Sequence, residues 1–210
     1  MPVIVNYKKK PNINEPLNLV LFVREGFNIS NLKNQISKRE YDLIFDLLKS
    51  KDKSKSIISF DLNSRKKIFL ISVKNKSEIF EIQNLGAKLH NLYSDSKYNQ
   101  IVINSDTVMN NQKNIPGHFA HGFKLKSYKF EKYKSKQKHK KTFVYFLGKN
   151  IPGIKEQIKF KAIEQGTFFA RDLVSEPGNV LHPDEYAKRI NSLKKLGLKI
   201  NIYDEKKLKK

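Results

Sequence analysis

The sequence predicts an α/β sandwich on a mixed, largely parallel sheet. Three observations lead there. Apolar runs of strand length alternate with longer segments whose apolar residues recur every three or four positions. The two kinds of segment succeed one another along the chain, the order that strand–helix–strand crossovers produce. A content of 39% hydrophobic and 11% aromatic residues in 210 positions supplies one full core with material beyond it.

The elements follow in order. Leu17–Val23 reads as a buried strand, and Tyr41, Ile44, Phe45 and Leu48 mark one face of a helix. Ile57–Leu62 and Lys67–Val73 are two strands joined by the turn-like NSRK. Ile82, Leu85, Leu89 and Leu92 form a second helical stripe, followed by a strand at Gln100–Asn104, a helix from Pro116 to Phe130 and a strand at Thr142–Leu147. A long helix from Ile154 to Ser175 comes next, with Ala162, Gly166, Phe169, Ala170 and Leu173 on its packed face. It ends at SEPGN, because Pro177 pushes Glu176 out of the helical region and Gly178 tolerates the exit. Pro183 suits the first position of a new helix, Asp184 and Glu185 favour its positive end, and Tyr186, Ala187, Ile190 and Leu193 line its apolar side. Leu198–Tyr203 reads as a further strand, and the closing DEKKLKK, helix-prone and without a C-terminal cap, reads as the start of another element.

Composition removes several classes of function. With no cysteine there is no disulfide, zinc-thiolate site or thiol nucleophile, which fits a reducing cytoplasm. The N-terminal apolar run is too short for a secretory signal, and no run approaches the ~20 residues of a membrane span. The formal charge of +22 raises a nucleic-acid reading, with Lys134, Lys136 and Lys138 as candidate contacts inside the aromatic–lysine stretch Lys124–Lys141. Against it, the charge is nearly all lysine spread along the chain, and Tyr128, Phe130 and Tyr133 suit the packing of a helix end. His118 and His121 in GHFAHGF have the helical spacing of a metal pair but no third ligand nearby, so ordinary packing is the expectation. No Gly-x-Ser-x-Gly, Gly-rich phosphate loop or histidine–carboxylate arrangement nominates a nucleophile.

Two ordered segments carry a family resemblance. ARDLVSEPGNVLHPDEYAKRI followed by LGLKINIYDEKKLKK, together with GFKLKSYKFEKYKSK (Gly122–Lys136) and the intervening FVYFLG, resembles the junction between the N-terminal and catalytic domains of the leucyl aminopeptidases, cytosolic metallopeptidases. Ser175 stands where an Asn is usual, and His182 where a Thr usually caps the following helix. The resemblance implies a macro-domain-like three-layer N-terminal domain at 1–152, a linking helix at 153–177, and the first elements of a truncated catalytic domain at 178–210. It places structural junction roles on Arg171, Asp172, Glu176, Pro177, Asn179 and Pro183. The family assembles as a homo-hexamer and removes N-terminal residues from peptides with two divalent ions, Mn or Zn, held by C-terminal motifs such as NTDAEGR. None of those motifs is in this sequence, so no catalytic, cofactor or metal residue carries over. The alternative is a stand-alone basic α/β module that binds nucleic acid or a nucleotide-like ligand.

Overall fold

Leu17–Arg24 (β2), one residue longer than the expected strand, has six buried residues in the middle of its eight. Alternation sends Leu19, Leu21 and Val23 into one core, and Val20 and Phe22 into the other. A strand covered on both faces reads as an unbroken apolar run, which is why it was legible. The computed structural model that shows this describes residues 3–12, 14–93, 98–108, 114–135 and 141–209.

Around β2 the six-stranded sheet runs β1-β6-β5-β2-β4-β3, with β1 Val3–Asn6, β3 Ile57–Asn63, β4 Lys66–Val73, β5 Gln100–Asn104 and β6 Thr142–Leu147. Every pairing is parallel except the β3/β4 hairpin. The sheet is therefore mixed and largely parallel, with helices on both faces. Helix α1 (Lys38–Leu47) covers one side, opened by a capping box in which Ser37 and Glu40 satisfy each other's backbone amides. Helices α2 (Ile79–Tyr93) and α3 (Ile115–Lys126) cover the other.

The α2/α3 crossing is a backbone-to-backbone contact. A methyl on Gly86 would fall on the carbonyl of Phe119, and one on Gly122 on the carbonyl of Gln83. Glycine is required at both positions by this approach.

Five expectations are corrected. Strand β1 was not foreseen. Helix α3 stops at Lys126 rather than Phe130, because the Ser127 hydroxyl donates to the Lys124 carbonyl at 2.6 Å and takes an acceptor that a further turn would use. Phe45 and Leu92 are 54% and 57% exposed, and the buried line of α2 is Ile82, Gly86, Leu89 and Tyr93. Helix α4 (Ile154–Ser175) forms over the expected range, yet its buried positions are Phe160, Glu164 and Leu173. Of the expected face, Ala162, Gly166 and Ala170 are exposed and Phe169 is half-buried; small residues bury too little area to fix a helix's rotation. Leu198–Tyr203 forms no strand, and among the described residues no other strand pairs with it to build a ladder.

The chain divides into two compact units, Met1–Glu164 and Gln165–Lys210. The first holds the whole sheet. The second holds the rest of α4, then α5 (Pro183–Asn191) and the short α6 (Glu205–Leu208). Pro177 closes the turn after α4 by accepting the amides of Val180 and Leu181, both at 2.9 Å. His182 contributes no side-chain cap to α5, as its replacement of the usual Thr implies. Among the described residues no helix is long and apolar enough to cross a membrane.

Candidate functional site

Ligands of open α/β sheets bind beyond the carboxyl ends of the strands, where neighbouring connections leave in opposite directions. Here that place is the end of β2, between β4 and β5, and its own side chains fill it. The Thr107 hydroxyl accepts the Phe22 amide at 2.9 Å and donates to the Asn104 carbonyl at 2.7 Å. The Asn31 amide donates to the carbonyls of Phe22 and Thr107 at 2.9 and 2.8 Å. What remains beside Arg24, Lys74 and Val108 is a space of about 20 Å³, enough for one water.

Beside it, the turn after β6 points successive amides inward, the arrangement that cradles phosphate in other folds. Its occupant is Asp106, whose Oδ1 accepts from the amides of Lys149 and Asn150 at 2.6 and 3.3 Å. Gly148, at φ +105°, permits this, since a side chain there would strike the Asp106 carboxylate. The described rim offers an incoming phosphate no open cradle.

The most charged buried cluster lies between α3 and the first half of α4. The side chain of Glu164 is 5% exposed. One oxygen meets His121 Nδ1 at 2.9 Å and the other accepts from Lys124 Nζ at 2.6 Å. Phe160 stacks on His121 and meets His118 edge-on, at ring distances of 5.1 and 5.0 Å. Helical spacing thus turns both histidines to one aromatic ring. Burial lowers the His118 pKa; burial first, then the Glu164 charge, raises that of Tyr7. Among the described residues no three His, Asp or Glu side chains converge as metal ligands. Removing one member of such a buried pair costs about 3–5 kcal/mol, so the cluster holds the first half of α4, up to Glu164, against α3. Glu164 lies 43 residues from His121 and gives no local signal.

The expected junction residues are placed as follows. Arg171 and Asp172 are exposed on α4, Asn179 is exposed after it, and Pro183 begins α5. Glu176 is different: its side chain is 2% exposed and accepts from Arg189 Nη1 at 2.9 Å, while Arg189 Nε donates to Glu185 at 2.9 Å. The hydrogen bond from Arg189, chiefly, lowers the Glu185 pKa. Arg189 was not foreseen; it lies 13 residues from Glu176, on the next helix. Lys134 is exposed and 3.5 Å from Glu131. Lys136 and Lys138 lie outside the described residues.

No family model matches the sequence. A probable cytosol aminopeptidase of Afipia carboxidovorans is 40% identical over 96 residues, 43% of this chain and 19% of that protein. The one from Ehrlichia ruminantium (strain Gardel) is 30% identical over 141 residues, 64% and 28% of the two chains. A tomato leucine aminopeptidase variant has the same fold, with a TM-score of 0.71 at 19% identity, covering 99% of this chain and 45% of its own. The chain is related to the leucyl, or cytosol, aminopeptidases through their N-terminal part. A second structure, the bottromycin maturation enzyme in complex with Mn, shares the fold at a TM-score of 0.66 and 14% identity, covering 91% of this chain and 39% of its own. The chain spans less than half of the solved aminopeptidase, and its match takes in 19% and 28% of these two curated cytosol aminopeptidases.

Proposed function

We propose that these residues are the non-catalytic N-terminal module of a leucyl-aminopeptidase-like metallopeptidase, with a structural and oligomerisation role. The observation that carries the reading is the fold match, which takes in 99% of this chain while filling 45% of the leucine aminopeptidase, beside 40% identity to a curated cytosol aminopeptidase. On this reading peptide cleavage by metal-activated water, with two Mn or Zn ions, belongs to a second domain in a cytosolic homo-hexamer. The exposed Arg171, Asp172 and Asn179, with Pro177 and Pro183 shaping the chain and Glu176 held by Arg189, form the junction toward that domain. The reading of a basic ligand-binding module has no comparable support, since the described rim of the sheet is occupied by Asp106, Asn31 and Thr107.

The test is activity. The purified 210-residue chain, supplied with Mn²⁺ or Zn²⁺, should release no product from a leucyl amide, because hydroxide at neutral pH needs a held metal. Metal-dependent turnover that survives repurification would overturn the assignment.

A further inference from the structure

Strand β1 is one edge of the sheet, and its outer side is uncovered among the described residues. The amide of Phe143 turns to Asn99 on the β5 side of β6, at 2.9 Å. By strand alternation Thr142 and Val144 face β1, Ile4 and Asn6 complete that ladder, and the N–H and C=O of Val3 and Val5 point to the open edge. Beside this edge lies a groove of about 410 Å³. One wall is Ile4, Val5 and Tyr7 of the edge; the other is Ile154, Ile158 and Lys161 of α4. Ile154 and Ile158, one turn apart, are 66% and 63% exposed.

We propose that this groove is a docking site for an acidic segment of another protein, which adds as an extended strand to the free edge of β1 and lays its apolar side chains against Ile154 and Ile158. An unpaired strand beside an apolar wall is the geometry of strand addition, in which backbone bonds give affinity and side-chain pockets give choice. Charge selects the occupant. Among the described residues Lys161 has no ion-pair partner, Lys8, Lys9 and Lys10 are exposed close after β1, and the carboxylate lining the groove, Glu164, is already held by Lys124 and His121. With a formal charge of +22, a second copy of the chain is the less favoured partner electrostatically, and an acidic strand is complementary.

The experiment titrates the full chain with a short acetylated peptide of alternating Val and Glu, following backbone amides by NMR and heat by calorimetry. Saturable binding in the range of tens of micromolar is expected, with slowed exchange at the Val3 and Val5 amides. Val5→Pro removes an amide from the open edge while sparing the ladder to β6, so it should weaken binding about tenfold or more. Lys161→Glu, on the solvent side of α4, should weaken it as well, and it serves as the decisive variant should Val5→Pro unfold. No binding at about 1 mM peptide, bound peptide with Val3 and Val5 still exchanging freely, or equal binding of a Val–Lys peptide would each overturn the proposal. So would concentration-dependent dimerisation abolished by Val5→Pro, which would assign the edge to a second copy.

Discussion

His90 packs on the side of α2 that faces α3, its ring edge-on to Phe123 at 5.0 Å and only 9% exposed. Burial first, and then positive charges that include Lys129 and Lys126, push its pKa down from 6.5 to about 4. In the unfolded chain the imidazole titrates near 6.5, so between about pH 6.5 and 4 the native state binds fewer protons than the unfolded state. The stability linked to His90 is complete above that window and is lost as pH falls through it, on the order of 3 kcal/mol at full extent. Denaturant midpoints at pH 7 and pH 4.5 should therefore move further apart for the wild type than for His90→Gln. An equal drop in both would show that His90 is not held neutral. The two candidate-site clusters also belong to this scale, and neither could be read from the sequence. Glu164 finds His121 and Lys124, and Glu176 finds Arg189, only after the helices carrying them have packed.

Among elements, the α2/α3 crossing is the most demanding of residue identity. A methyl at Gly86 or Gly122 meets backbone rather than a side chain that could rotate away, so either Gly→Ala change should cost about 1–3 kcal/mol or more. The two sites share one crossing. The double variant should accordingly lose less than the sum of the single losses, since one separation of the helices relieves both clashes. Strictly additive losses in urea would argue against a single crossing. Strands β5 and β6 and helix α4 were legible to the residue, because unbroken apolar runs and firm stops mark them. Strand β1 was not, as four residues before a lysine run carry too little pattern. The rotation of α4 was also hidden: Phe160, between Lys159 and Lys161, decides it by seating on His118 and His121.

At the scale of the whole molecule, the unit Met1–Glu164 contains both hydrophobic cores, whereas α5 and α6 of the other unit bury no residue. Amide exchange follows local opening, which few buried contacts make easy. Residues 179–210 should thus exchange much faster than 17–147, and cutting after Gly178 should leave the unfolding midpoint of the sheet unchanged. Collapse of the sheet on that cut would make the tail integral to one domain. The carboxylate of Asp106, seated on the amides of Lys149 and Asn150, has a further bearing at this scale. A tethered anion meets its partners at an effective concentration set by the chain rather than by supply. Stabilisation by a dissolved ligand rises and falls with its supply. This turn carries its anion as a covalent part of the chain, so the contact between Asp106 and the amides of Lys149 and Asn150 draws on no dissolved ligand.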